Sequence, residues 1–369
     1  MSRAEVPFLD LSRQETEIGD EVQQAFQRFL RRGQYILGTE VKALEEEFAS
    51  YCGCREGIGV ASGTDALFLT LKALGAKERD EILTTAFSAP PTAVAIALTG
   101  ARPVFVDIDP VTHNIDPSLI KERISPHSRF LLVVHLYGRI ADMPELVSIA
   151  DRYGLVLVED CAQAHGTSLD GKKAGSWGRA GCYSFYPTKN LGAYGDGGMV
   201  VTDDGGLVQR LRSLRDYGRI DRDRLGEIGL NSRLDELQAA LLRVKLRRLD
   251  SWNDRRLTLA RRYLEALSDL PLRLPPWDGD ESHSFHLFVV EYENRDALRL
   301  HLERKGIETA VHYPVPLHLQ KPFQSSQPPG ASYPMAEQAS RSVLSLPLYP
   351  QMTEEEIDQV IEAIRDFFH

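Results

Sequence analysis

From Gly59 to Val201 the chain alternates short, almost unbroken apolar runs with segments of helical period, and few folds accommodate that alternation. Runs such as RFLLVV (Arg129 to Val134) and LVLV (Leu155 to Val158) lack the polar alternation of a strand with one wet face. Each therefore needs cover on both sides, and strands of that kind followed by helices build a mainly parallel sheet flanked by helices. The helix expected from Asp142 is well signalled. Asp142 stands at its N-cap and Glu145 follows three residues on, with Leu146, Ile149, Ala150 and Tyr153 on one face and Gly154 at the end. The segment EILTTAFSAPPTAVAIALTGARPVFVDID reads as strand, Pro-broken turn, helix stopped at Gly100, and strand.

Ahead of this core the sequence predicts an amphipathic helix over residues 14–31, presenting Ile18, Val22, Phe26, Phe29 and Leu30 and ended by Gly33, and a second near residues 40–51. After Thr202 the chain becomes helical, with one long Arg-rich stretch from Leu234 to about Leu267. Arg243, Arg247, Arg248, Arg255 and Arg256 there read as a solvated or subunit-facing surface, because the whole chain carries a net charge of −10. Beyond Pro275-Pro276 come a strand (SFHLFVVEY), a helix, the Pro-rich HYPVPLHLQKPF and a terminal helix opened by a Thr353/Glu356 capping box. The division expected is a large domain over residues 1–249 and a smaller C-terminal α+β domain over residues 250–369.

Three windows carry chemistry. In SFYPTKNLGAYGDGGMVV, Lys189 lies among Phe185, Tyr186, Pro187, Leu191 and Tyr194, with Asp196 the one nearby charge. Desolvation lowers an amine's pKa and frees its lone pair for Schiff-base chemistry; a lysine with a buried stem and a solvated ammonium fits the same window. In LVLVEDCAQAHG, Glu159 and Asp160 come at the carboxyl end of a buried strand, the edge at which open α/β sheets bind ligands. In GVASGTDALFLTLKAL a Ser-Gly-Thr turn opens a helix, and amides at such a start receive phosphate.

YILGTEV, ASGTDAL, GARPVFVDID, VVHLYGRIADM, VEDCAQAHG, SFYPTKNLGAYGDGG, NSRLDELQAALLRVKL and HYPVPLHLQ, in that order, resemble the sugar aminotransferases of the DegT/StrS family along nearly the whole chain. The resemblance implies a fold-type I α/β transferase that uses pyridoxal 5'-phosphate, with Lys189 as the Schiff-base lysine and Asp160 paired to the pyridine nitrogen. It assigns Gly63, Thr64 and Ser184 to the cofactor phosphate, Gln163 to the ring hydroxyl, and Asn231 to a phosphate contact made from the neighbouring subunit of a homodimer. Tyr35, Arg233, His312 and Tyr313 match substrate contacts. The residues alone leave other readings open: an interfacial Tyr35, a backbone-bonded Ser184 hydroxyl, an N-cap at Asn231 and a packing role for His312. The chain departs from the family at Ala89, where relatives often carry an aromatic ring over the cofactor; Phe87 lies two residues earlier.

The implied substrate is a nucleotide-linked ketosugar, closest to a dTDP-3-keto-6-deoxyhexose, with L-glutamate as amino donor; a 4-keto or UDP-linked sugar is the alternative. A catalytically silent cofactor-binding regulator is a third reading, and Lys189 argues against a dehydratase, whose relatives carry His there. No nucleic-acid partner is expected of an acidic chain without a long basic run. No apolar run is long enough for a bilayer and MSRAEVPFLDL lacks a signal-peptide pattern, so the expected location is cytoplasmic. Cys52, Cys54, Cys161 and Cys182 give neither a disulfide framework nor zinc-site spacing.

Overall fold

Seven strands form one sheet in the computed structural model, which describes residues 5–277, 279–324 and 330–369. In chain order they begin with β1 (Glu56–Val60), β2 (Glu81–Thr85), β3 (Arg102–Val106), β4 (Ser128–Val134) and β5 (Val156–Asp160). A two-residue hairpin of β6 (Ser168–Leu169) and β7 (Lys172–Lys173) stands apart, and β8 (Ala180–Ser184) and β9 (Gly198–Thr202) complete the sheet. Their spatial order is β1-β9-β8-β5-β4-β2-β3. All run parallel except β9, which is antiparallel to both neighbours. The reversal has a local cause. Loop 185–197 joins β8 to β9 without a helix, whereas a return in the same direction needs a long crossover.

The doubly covered strands behave as their sequence requires. Alternate residues of one strand face opposite layers: Leu131 and Val133 of β4 pack with Leu146 and Ile149, while Phe130 and Leu132 lie in the other core with Leu67 and Leu71. The first layer is built by α2 (Thr39–Cys52), α6 (Met143–Tyr153) and α8 (Glu236–Leu246). The second is built by α3 (Gly63–Ala73), α4 (Pro90–Leu98) and α7 (Gly205–Leu214). Helix α6 opens as expected, with the Asp142 side chain accepting from Glu145 N.

Helix α1 (Gln14–Arg32) ends at Gly33, whose φ of +64° suits a residue without Cβ. Its apolar face is only partly used in the single chain. Ile18 packs with Leu241, Val244 and Trp252, but Phe26 and Leu30 are exposed. The long helical stretch expected from Leu234 to Leu267 divides in two: α8 stops at Leu246 and α9 runs Leu249–Leu267. Arg256 on α9 departs from the expected solvated surface. It is 4% exposed, with its guanidinium bonded to the carbonyls of Phe285, His286 and Leu348. The other four arginines do reach carboxylates: Arg243 pairs with Glu40 and Glu47, Arg247 and Arg248 with Glu21, and Arg255 with Glu354.

A second core forms where α9 meets β10 (Phe288–Glu291), β11 (Val343–Leu346) and the terminal helix Glu354–Phe368. The terminal helix carries the Thr353/Glu356 capping box in both directions. Tyr137, Phe87 and Phe105 pack with Leu287, Leu317 and Tyr333, and so join this region to the sheet. Asp107, just past β3, reinforces that junction by accepting from Met335 N and Ala336 N at the start of helix Pro334–Ser342. Among the described residues no helix is long and apolar enough to cross a membrane, and all four cysteines are free.

Candidate active site

The ends of β5 and β8, the start of α3 and loop 185–197 enclose a cavity of about 250 Å³. Gly63, Thr64, Asp160, Gln163, Ser184 and Lys189 all line it, brought together from three separate stretches of sequence. The loop that carries Lys189 turns back on itself through Lys189 N to Tyr186 O at 2.9 Å and Ala193 N to Phe185 O at 2.8 Å. The lysine side chain is thereby delivered to the carboxyl edge of the sheet, opposite Asp160.

Burial lowers the Lys189 amine from the ordinary lysine value to about 8, and the charge of Asp160 resists that fall. Asp160 is 4% exposed, and burial raises its proton affinity. The Thr92 hydroxyl at 2.9 Å, the Ala162 amide at 3.1 Å and the Lys189 charge oppose the rise. Three imidazoles also feel the lysine. His165 is pushed down to about 3 and His312 to about 4, first by burial and then by the Lys189 charge, and His286 falls well below the usual range for the same reasons. All three are neutral at pH 7, which leaves Lys189 as the cation of this group beside Asp160.

At the other end of the cavity Ser62 caps α3, its Oγ accepting from Asp65 N at 3.1 Å. The preceding amides, those of Gly63 and Thr64, have no acceptor inside the helix and begin its positive end. Contact there is close: a Cβ on Gly63 would stand 2.6 Å from the Ser184 Cβ, so only glycine lets the turn approach β8. Ser184 Oγ accepts from Tyr186 N at 3.2 Å and also lines the cavity. Gln163 is clamped, its Oε1 accepting from Tyr137 N at 2.6 Å and its Nε2 donating to Tyr313 OH at 3.0 Å. His312 Nδ1 lies 2.8 Å from Ser345 Oγ, and its carbonyl accepts from Tyr137 OH.

Residues 16–365 match the DegT/DnrJ/EryC1/StrS aminotransferase family. The chain belongs to that family. It is 46% identical over 370 residues to the dTDP-3-amino-3,4,6-trideoxy-alpha-D-glucose transaminase of Streptomyces venezuelae, covering 99% of this chain and 98% of that protein. It is 41% identical over 364 residues to the UDP-N-acetyl-3-dehydro-alpha-D-glucosamine 3-aminotransferase of Acidithiobacillus ferrooxidans, covering 99% and 98%. In three dimensions it superimposes on the crystal structure of S. venezuelae DesV in complex with a ketimine intermediate, with a TM-score of 0.96 at 45% identity and 99% of each chain covered. The chain is therefore a sugar aminotransferase of fold type I, and the family works with pyridoxal 5'-phosphate.

The residues present fit that cofactor. An amine whose pKa burial has lowered, a buried carboxylate with each oxygen bonded once, and a helix start narrowed to glycine at Gly63 match an aldehyde, a ring nitrogen and a phosphate. Other DegT/StrS expectations fall outside the cavity of the single chain. Tyr35 is 54% exposed and packs on Phe29. Arg233 pairs with Asp216 at 2.9 Å and lies over the Tyr217 ring. Asn231 is exposed and pairs in a bridge with Asp216; it is not an N-cap, because α8 starts at Glu236 behind Asp235. Ser232 between them reaches the turn that opens α3, donating to Asp65 Oδ2 at 2.7 Å and accepting from Ala61 N at 3.1 Å. Phe87 is fully buried against Tyr313 and His113, whereas Ala89 lines the cavity, so no ring from this turn covers it.

Sequence reasoning missed Thr92, whose hydroxyl supports Asp160 and meets Ser88 Oγ at 3.1 Å. The signal was present in two hydroxyls four residues apart, Ser88 just ahead of α4 and Thr92 in its first turn, but no carboxylate was visible opposite them.

Proposed function

We propose that the enzyme moves an amino group from L-glutamate to the 3-keto carbon of a dTDP-linked 6-deoxyhexose, giving a dTDP-3-amino-3,6-dideoxyhexose. The observation that carries the reading is that Lys189 and Asp160 line one cavity with the Gly63-Thr64 turn at its other end, in a chain 46% identical to the S. venezuelae transaminase. Bound there, pyridoxal phosphate supplies an electron sink for the carbon that loses its proton. Lys189 Nζ, with a pKa near 8, both accepts and returns that proton close to neutral pH. Asp160 holds the opposing charge, and Thr92 and the Ala162 amide keep its carboxylate in place. Gly63, Thr64 and Ser184 bind the phosphate, and Gln163 orients the ring hydroxyl.

The working form in this reading is a homodimer. Asn231 reaches the phosphate of the partner's site, and Tyr35, Arg233, His312 and Tyr313 bind the nucleotide sugar. Two segments with exposed apolar side chains, Phe26, Leu30 and Tyr35 in one and Ile220, Leu225 and Ile228 in the other, support surface that a partner covers. Residues 1–249 act as the cofactor-binding domain and 250–369 as the smaller one, with α9 packing against both, and the enzyme works in the cytoplasm. A UDP-linked 3-ketosugar is the second reading, favoured by the A. ferrooxidans relative. Mass spectrometry after incubation of the holoenzyme with L-glutamate and dTDP-3-keto, dTDP-4-keto or UDP-linked 3-keto sugars separates them. Amination of the dTDP-3-keto sugar is expected, and amination of the UDP sugar alone overturns the proposal.

A further inference from the structure

The residues between His283 and Leu287, read in the sequence as the start of a strand, pair with no strand of the three sheets. They form a brace tied to the segment after β4: Ser284 N to Gly138 O at 2.9 Å and Leu287 N to Tyr137 O at 3.2 Å. Thr167 Oγ1 bonds both Gly138 O and Ser284 Oγ at 3.0 Å. Loop 185–197 is fastened to this brace through the residue next to the reacting lysine. Asn190 is 5% exposed, and its Nδ2 donates to Ser284 O at 3.3 Å and to Asn253 Oδ1 on α9 at 2.9 Å. Those two acceptors fix the amide's orientation, so Asn190 Oδ1 faces His286 Nδ1 at 3.1 Å and the imidazole must carry its proton there. The far side is anchored too, since Asn253 Nδ2 donates to His165 O at 2.8 Å.

A buried amide left without partners bears the full cost of its desolvation, so satisfying all of these bonds selects one loop position among those that hydrophobic packing would allow. Lys189 has four side-chain torsions, and the place of its Nζ follows from where the backbone at 189–190 is held. We propose that Asn190 is a positioning residue for amino transfer: locked to His286, Ser284 and Asn253, it holds the loop where Lys189 Nζ is presented to the cavity. This rests on Lys189 as the reacting amine.

The test compares holoenzyme variants by steady-state kinetics and by the pH at which the visible absorbance of the bound cofactor changes. Asn190→Leu keeps the volume and removes the bonds; kcat is expected to fall on the order of tenfold to a hundredfold with KM little changed, and the spectral transition to shift. His286→Leu should reproduce this, whereas His286→Asn, which places an N–H where Nδ1 stood, should restore the wild-type transition and most of kcat. Asn190→Leu with wild-type kcat and an unmoved transition overturns the proposal. So does His286→Asn behaving like His286→Leu, a comparison that stands even if Asn190→Leu fails to fold. Failure of the underlying reading would look different: Lys189→Ala would retain turnover whatever the Asn190 variants did.

Discussion

Thr92 Oγ1 donates to Asp160 Oδ2 across 2.9 Å, joining the first turn of α4 to the end of β5. The bond lowers a proton affinity that burial has raised. Thr92→Val keeps the shape and removes the donor, so Asp160 should take a proton more readily and oppose a ring nitrogen less well. Hydrogen bonds to charged groups contribute about 1.5–3 kcal/mol, so kcat should fall roughly tenfold or more. The acidic limb of the rate profile should also move to higher pH. A kcat within twofold of wild type and an unmoved limb would remove Thr92 from the site.

Lys189 makes the cofactor-free protein pH-sensitive. Its folded pKa, about 8, lies below the ordinary 10.5. Between those values the unfolded chain binds more protons than the folded one, so the lysine's contribution grows more favourable as pH rises from 8 to 10.5. Its full cost, at most about 3 kcal/mol, is present below pH 8. Apoprotein Lys189→Met should therefore unfold at a higher temperature than wild type at pH 7, with the gap closing by pH 10.5. Lys245 is lowered to about 8 as well, by burial, but it is common to both proteins and cancels. A gap independent of pH would show that the amine is solvated.

The turn that opens α3 tolerates no side chain at Gly63. In Gly63→Ala the new Cβ would meet Ser184 Cβ at 2.6 Å, and either the turn or the end of β8 must retreat. Overpacking of this kind costs about 1–3 kcal/mol, and the displaced amides should weaken cofactor binding at least tenfold. Absorbance remaining after dialysis measures it. Wild-type retention would mean that the phosphate is held elsewhere.

What the sequence made legible follows from where the decisive forces lie. The alternation of LVLV-type runs with helices is local, and so are the capping residues Asp142 and Thr353, which the structure keeps. The burial of Lys189 was also visible in its apolar and aromatic sequence neighbours, of which Tyr186 lines the same cavity. Long-range decisions were not. Nothing between Leu246 and Leu249 is a Gly or Pro, yet the helix breaks there, where Leu249 is buried in the sheet-facing core and Trp252 against α1. Burying two such side chains contributes roughly 3–6 kcal/mol, more than a helical turn loses. Arg256 misled for a related reason: its guanidinium ends on carbonyls from two distant segments, which no local window contains. The reversal of β9 likewise depends on what loop 185–197 does.

Asn231 is the residue whose role the single chain leaves open to decisive test. It is exposed and does not line the cavity, although Ser232 beside it is tied to Asp65 in the first turn of α3. If its amide serves the partner's site, Asn231→Ala and Lys189→Ala damage different halves of one site. Coexpressed in one cell, the two variants form hybrid dimers by symmetry. One site of the hybrid then has both defects, and the other has intact Lys189 from one chain and intact Asn231 from its partner. Tagged hybrids should recover about half the wild-type activity per dimer, well above either parent. Were each site built from one chain, Lys189 and Asn231 would never be intact together in any hybrid site. Activity would then be no better than that of an Asn231→Ala subunit diluted by an inactive one.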